Sequence, residues 1–229
     1  MKYFYAVLLL CTLSLKAFGE DLLAEVDKYR NPSDSYTMLV NIQSSNEKEE
    51  AKFLVYLKGN SKTLIKVLAP KKNLGRNMLM TAENMWVYVP NIRRSVRVSL
   101  NQKLTGEAAN GDISRMRWSG DYSHVVEKKE AKEWQLFLTA TKEGLTYSKI
   151  RVWIDAKDKR PLKAQFLTLS GKTIKTATYE DYKKSLGMNR PSRIHIVDNL
   201  RKDQFSDLFI DKMENKNLPD SMFTEKSLE

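Results

Sequence analysis

The sequence predicts a mainly β protein of the α+β class, and three observations carry that reading. From Ser35 onward, apolar and polar residues alternate with a period of two through most of the chain. Turn-forming clusters such as Lys58-Gly59-Asn60-Ser61 and Ser170-Gly171 interrupt the alternation at short, near-regular intervals. No helix-length pattern recurs between the strands, so βαβ units and a parallel sheet are excluded. The spacing predicts an antiparallel meander of about 10–11 short strands, closed as a sandwich or barrel.

The elements follow in order. Residues 1–19 read as a signal peptide. Met1-Lys2 is a short positive start, Tyr3 to Leu15 an apolar run, and Ala17-Phe18-Gly19 places small residues at the −3 and −1 positions, so cleavage is expected before Glu20. Cys11 follows Leu8-Leu9-Leu10 rather than a small residue, which argues against a lipid anchor there. Residues 20–229 form one domain without cysteine, which removes disulfides, thiolate metal sites and a cysteine nucleophile together. An exported, cysteine-free chain of this length fits the periplasm. It is long enough to be stabilised by its core alone.

Glu20–Arg30 predicts a helix with Leu22, Leu23, Val26 and Tyr29 on one face, stopped by Asn31-Pro32. Strands are expected over Tyr36–Gln43, Lys52–Lys58, Thr63–Ala69, Met78–Thr81, Met85–Val89 and Arg94–Leu100. Asn101–Gly120 loses the period. It carries Gly106, Gly111 and Gly120 around a polar centre, with a short helix predicted near Asp112–Arg117, and a connection of this length in a β domain reads as a lid or binding loop. Strands resume over Tyr122–Glu127, Glu133–Thr141, Tyr147–Asp155, Leu162–Ser170, Thr173–Asp181 and Arg193–Arg201. Phe205–Lys212 fits a strand or a helix, and Pro219–Glu225 a terminal turn or short helix.

The formal charge is +11, and +9 once Lys2 and Lys16 leave with the signal peptide. The basic residues are dispersed rather than blocked, and export argues against nucleic acid; an anionic membrane surface or an acidic partner remains. His124 and His195 each stand alone, no metal-ligand spacing accompanies them, and no nucleophile elbow or phosphate-cradling loop is present. Asn110-Gly111-Asp112 reads as turn chemistry. No constellation for acid–base, covalent or metal catalysis emerges, so an enzyme, a cofactor and a metal site are not expected.

What stands out is apolar surplus. Lys52–Lys58 is apolar on both faces, and so is Met85–Val89, which implies cover on both by core, helix or ligand. Methionines gather at Met78, Met80, Met85 and Met116, and methionine adapts to irregular apolar shapes. Ordinary core filling has the same composition, and by composition alone it is the stronger reading. Arg93, Arg94 and Arg97 fit either outer-face ion pairs or the binding of anionic head groups or an acidic partner.

Four segments in this order and spacing resemble a known family: Phe53-Leu54-Val55-Tyr56-Leu57-Lys58-Gly59; Met78-Leu79 followed by Asn84-Met85-Trp86-Val87-Tyr88-Val89-Pro90, with Arg93, Arg94 and Arg97-Val98-Ser99; Ala109-Asn110-Gly111-Asp112-Ile113-Ser114-Arg115; and Asp121-Tyr122. Together they are similar to the outer-membrane lipoprotein-sorting, LolA-like proteins, from about Asp27 to Phe223. The resemblance implies an incomplete, strongly curved antiparallel β-barrel with helices and loops as a lid. It implies a monomeric, non-catalytic periplasmic carrier that passes lipid or lipoprotein acyl chains between an inner-membrane exporter and the outer membrane. The Trp-x-Tyr-x-Pro and Asn-Gly-Asp-Ile segments look most like a branch associated with exporters of the resistance–nodulation–division type rather than with the classical lipoprotein carrier. The expected cavity lining is Phe53, Val55, Met78, Met80, Trp86, Tyr88, Met116 and Trp118, with Arg93, Arg94 and Arg97 for a head group or partner. The alternative is a periplasmic sensor or adaptor that docks on an exporter or regulator and uses the cavity as a signal site.

Overall fold

Two antiparallel meanders meet in the middle of one sheet. The computed structural model describes residues 21–229 except Asn60, Glu83 and Lys202. The signal peptide expected over residues 1–19, Cys11 within it and the cleavage point before Glu20 lie outside the described residues.

Helix α1 (Leu22–Arg30) starts where the Asp21 side chain accepts the Leu23 N–H at 3.1 Å and ends at Asn31, before Pro32. It buries Leu23 and Val26. The first meander is β1 (Ser35–Ser44), β2 (Ala51–Lys58), β3 (Lys62–Ala69), β4 (Met78–Thr81), β5 (Asn84–Val89) and β6 (Arg94–Val98). A small hairpin, β7 (Lys103–Thr105) and β8 (Ala108–Ala109), and a short helix α2 (Asn110–Ser114) follow. The second meander is β9 (Tyr122–Lys129), β10 (Glu133–Ala140), β11 (Lys149–Asp155), β12 (Pro161–Leu167), β13 (Thr173–Ser185), β14 (Met188–Asp198) and β15 (Phe205–Asn215).

The strands of the large sheet are ordered β6-β5-β4-β3-β2-β1-β15-β14-β13-β12-β11-β10-β9. The first strand of one meander thus pairs with the last of the other, from Tyr36↔Asn215 to Ser44↔Ser206. The sheet is open, strongly curved and thirteen-stranded, more than the 10–11 strands expected. Part of the excess is Phe205–Asn215, ambiguous by pattern but held as a strand by β1 and β14. The short segments expected over Met78–Thr81 and Arg94–Leu100 are present as strands β4 and β6.

This order places the two ends of the β6–β9 connection at opposite edges of the sheet, so residues 99–121 must cross its concave side. They cross it as a packed plug. Leu100, Ala108, Ala109, Ile113, Met116 and Trp118 are all buried there. Two glycines make the fit possible. A Cβ on Gly106, at φ +52°, would stand 1.8 Å from the Ser44 hydroxyl, and one on Gly111 would stand 1.8 Å from the Thr146 hydroxyl. The segment read as a lid lies across the concave side and fills part of it from within.

The convex side is covered over β3–β5 by the C-terminal tail. Leu218, Phe223 and Leu228 pack with Leu64 and Leu79, and Tyr56, Trp86 and Tyr88 border that cluster. Lys66 donates to the Ser227 carbonyl at 2.7 Å and the Asn77 amide to the Leu228 carbonyl at 3.0 Å, which pins the tail.

Candidate ligand-binding site

The plug fills only part of the concave side. Over β2–β6 it leaves a hollow of about 480 Å³. Its wall is Phe53 of β2, Val67 of β3, Met78 of β4, Val87 and Val89 of β5, and Val96 and Val98 of β6, with Leu104 of the β7–β8 hairpin as its inner floor. Strand register explains the composition. Met78 opposes Val87, and Val87 opposes Val96, so the period of two brings one apolar residue from each strand to the same face. Val96 is exposed, because β6 is the sheet edge and the hollow opens beside it.

The rim is basic. Arg76 and Lys103 border the hollow directly. Arg94 opposes Val89 in register, so its side chain leaves the edge strand on the same face. Lys103 pairs with the buried Glu107 at 3.4 Å, whereas Arg76 and Arg94 have no carboxylate partner among the described residues. The three arginines expected to act together are split by the strand period. Arg97 opposes Trp86 on the other face and donates to the Asn84 side chain, and Arg93 sits exposed in a left-handed turn at φ 49°.

The residues expected to line a cavity divide into four groups. Phe53 and Met78 line the hollow. Val55 and Met80 share its face but lie deeper, fully packed in the main core. Trp86 and Tyr88 require a correction: they point to the convex face, against the C-terminal tail, and Val87 and Val89 between them face the hollow. The tail held the missing signal. Leu218, Phe223 and Leu228 occur in a segment with no strand pattern, so they need an apolar sheet face to cover. Val67, Val87, Val89, Val96, Val98 and Leu104 were missed as lining because the large aromatic residues outweighed the smaller valines beside them.

Met116 and Trp118 lie in the other half of the concave side, over β11–β14. The space there is only about 40 Å³, bordered also by Arg30, Asp112, Tyr147, Tyr179 and Arg190. It is room for a water or two, not for a ligand. The surrounding polar groups hold the plug. The Asp27 carboxylate accepts the backbone N–H groups of Trp118 and Ser119 at 2.7–2.9 Å, and the Arg30 guanidinium lies 3.7 Å over the Trp118 ring. Asp112 accepts the Ala109 N–H at 2.8 Å and the Tyr147 hydroxyl at 3.0 Å. Burial raises both carboxyls above the usual range, against the pull of Arg30 on Asp27 and of Lys175 on Asp112. Arg115 forks onto Asp121 at 2.5 and 2.7 Å and donates to the Ala82 carbonyl at 2.6 Å. Burial would raise Asp121, but Arg115, Arg117 and Lys142 outweigh it and hold the carboxyl below its usual range. Asn110-Gly111-Asp112 therefore anchors the plug, a larger role than turn formation.

His195 meets Asp207 at 2.9 Å beside Arg193, an arrangement that serves β14–β15 cohesion. Among the described residues no group of three or more His, Cys, Asp or Glu side chains could hold a metal ion, and no helix is long and apolar enough to cross a membrane.

A family described as an uncharacterized protein matches residues 59–229. No curated protein matches the chain. Among solved structures, a LolA superfamily protein from Nitrosomonas europaea is 33% identical, with a TM-score of 0.85 over 90% of this chain and 97% of its own. An outer membrane lipoprotein-sorting protein domain from Vibrio parahaemolyticus is 22% identical, with a TM-score of 0.72 over 90% and 96%. A DUF1329 family protein from Desulfovibrio piger is 19% identical, with a TM-score of 0.77 over 91% and 97%. The last two share the fold.

Proposed function

The chain belongs to the LolA superfamily, and from that premise we propose that it is a non-catalytic periplasmic carrier that shelters lipid or lipoprotein acyl chains in the hollow over β2–β6. The observation that carries this reading is a space of about 480 Å³ walled by valines, Phe53, Met78 and Leu104 and left open at the sheet edge. Ligand sites span about 300–1,000 Å³, so the hollow has ligand size. Each methylene withdrawn from water contributes about 0.8 kcal/mol, which the apolar side of the hollow collects without chemistry. Arg76 and Arg94 stand at the mouth, where the head of an amphiphile with its chain inside would lie. Transfer between an inner-membrane exporter and the outer membrane is the transport step this carrier would serve.

The test is mass spectrometry of the purified protein under native conditions, with extraction of bound lipid, alongside titration with a fluorescent fatty acid. Wild type is expected to carry acyl species and bind the probe. Val87→Asp is expected to lose both, while Tyr88→Asp on the opposite face keeps probe binding if it folds. A wild type always empty and unable to bind the probe, or a Val87→Asp variant that binds like wild type, would sink the reading.

A second reading, a sensor or adaptor docked on an exporter, draws on β6. It is a sheet edge whose Arg94, Val96 and Arg97 are all exposed, next to exposed Ile92 and Arg93. Binding to an inner-membrane partner that is lost in Arg97→Glu, with probe binding in the hollow intact, would favour it.

A further inference from the structure

Away from the hollow, the sheet splits. β14 pairs with β15 only from Arg193↔Phe209 to Val197↔Phe205. Beyond that point β14 continues with β13 alone, as far as Ser185↔Met188, and β15 continues with β1 alone, through a bulge, as far as Tyr36↔Asn215. Pro191 lies where the strands part and offers no N–H to a ladder. The parted strands enclose a slot of about 210 Å³.

The slot is lined by cations. Lys183, Lys184 and Lys212 are exposed at its edge, and none of them is ion-paired among the described residues. At its base lies Arg190, only 2% exposed, which borders both the slot and the small closed space behind it. A guanidinium has five N–H donors. That of Arg190 reaches the Met213 sulfur at 2.9 Å and the Arg30 carbonyl at 3.3 Å and lies beside the buried Tyr36 hydroxyl, and its buried Nε has no partner. No carboxylate pairs with it among the described residues. The carboxylate in the slot, Asp211, is held by the Asn41 amide at 2.6 Å. A buried guanidinium without an anion is costly, and an oxyanion from outside would meet it with charge-assisted, bidentate hydrogen bonds.

We propose that the slot between β14 and β15 binds a phosphate group, with Arg190 at its base and Lys183, Lys184 and Lys212 around it. Four cations against one carboxylate match a doubly charged oxyanion better than a single carboxylate. The hydroxyl of Ser192, which also lines the slot, is engaged with the Asp181 carbonyl at 2.6 Å, so it supplies shape rather than donation. The phosphate can be a free ion or the head group of a lipid, and the two sources separate experimentally.

The experiment is titration of the full protein with inorganic phosphate by calorimetry, and in parallel with phosphatidylcholine vesicles with and without phosphatidylglycerol. The variants are Arg190→Met and the exposed pair Lys183→Ala/Lys212→Ala, which leaves the core untouched. Lost charged hydrogen bonds weaken binding by about tenfold or more, so both variants are expected to lose phosphate binding to that extent while the fatty-acid probe still enters the hollow. Saturation by inorganic phosphate identifies a free-ion site. Binding confined to phosphatidylglycerol vesicles and reduced in the same variants identifies a head-group site. Binding of neither probe to wild type, or binding equal in wild type and the double lysine variant, overturns the proposal.

Discussion

The two halves of the concave side are built from the same kind of strand yet do opposite things. Over β11–β14 the plug meets the sheet with Met116 and Trp118 and leaves about 40 Å³. Over β2–β6 the β7–β8 hairpin and α2 reach across without filling the space, and about 480 Å³ stays open. The polar groups follow the same division. Asp27, Asp112, Arg115 and Asp121 all tie down the plug, whereas the hollow is bordered by Arg76 and Lys103 and by the uncharged Asn73, Gln102, Thr105 and Asn110. The difference teaches that the binding half is defined by what the connection does not fill. A single segment forced to cross the sheet closes one half as core and leaves the other as a site.

Substitutions can break or sharpen this contrast. The largest effect is expected at Asp121. Asp121→Ala leaves Arg115 buried without its carboxylate, at a cost of about 3–5 kcal/mol, measured by urea unfolding. Asp121 is held below its usual range in the folded state, so its contribution is present above the unfolded value of about 3.9 and is lost as pH falls through the lowered folded value. The stability gap between wild type and Asp121→Asn should therefore be constant near neutral pH and close in acid. A gap that widens in acid would contradict the assignment.

Next comes Ile113→Ala in the plug, expected to cost about 2–5 kcal/mol because the packed core around this buried side chain cannot collapse into the space. Gly111→Ala is expected to cost about 1–3 kcal/mol, since its Cβ would meet the Thr146 side chain. Smallest is Val96→Leu at the open hollow. It should change stability by no more than about 0.5 kcal/mol because the added methylene enters free space, while altering affinity for the fatty-acid probe. A loss at Val96→Leu as large as at Ile113→Ala would mean that the two halves are not different.

Much of the architecture was legible in the residues. Alternation marked nearly every strand, Asn31-Pro32 ended the helix, and the run Asn84–Pro90 with Asn110–Arg115 pointed to the family that the 33% identical structure confirms. The hairpin Lys103–Thr105/Ala108–Ala109 was not legible, because strands of two and three residues have no measurable period. The candidate site was half legible. Phe53 and Met78 border the hollow, Trp86 and Tyr88 lie on the opposite face, and Val87, Val89, Val96 and Val98 were passed over.

The reason is physical. A period of two tells that Trp86 and Tyr88 share one face and Val87 and Val89 the other, and it is blind to which face is concave. The sequence by itself determined the strands, their two-sided apolar character, the basic excess and the family. Only the tertiary structure decided the direction of curvature, the side taken by the C-terminal tail, the path of residues 99–121 across the sheet and the parting of β14 from β15. Those depend on which segments far apart in the chain compete for the same apolar surface, and local alternation carries no information about that competition.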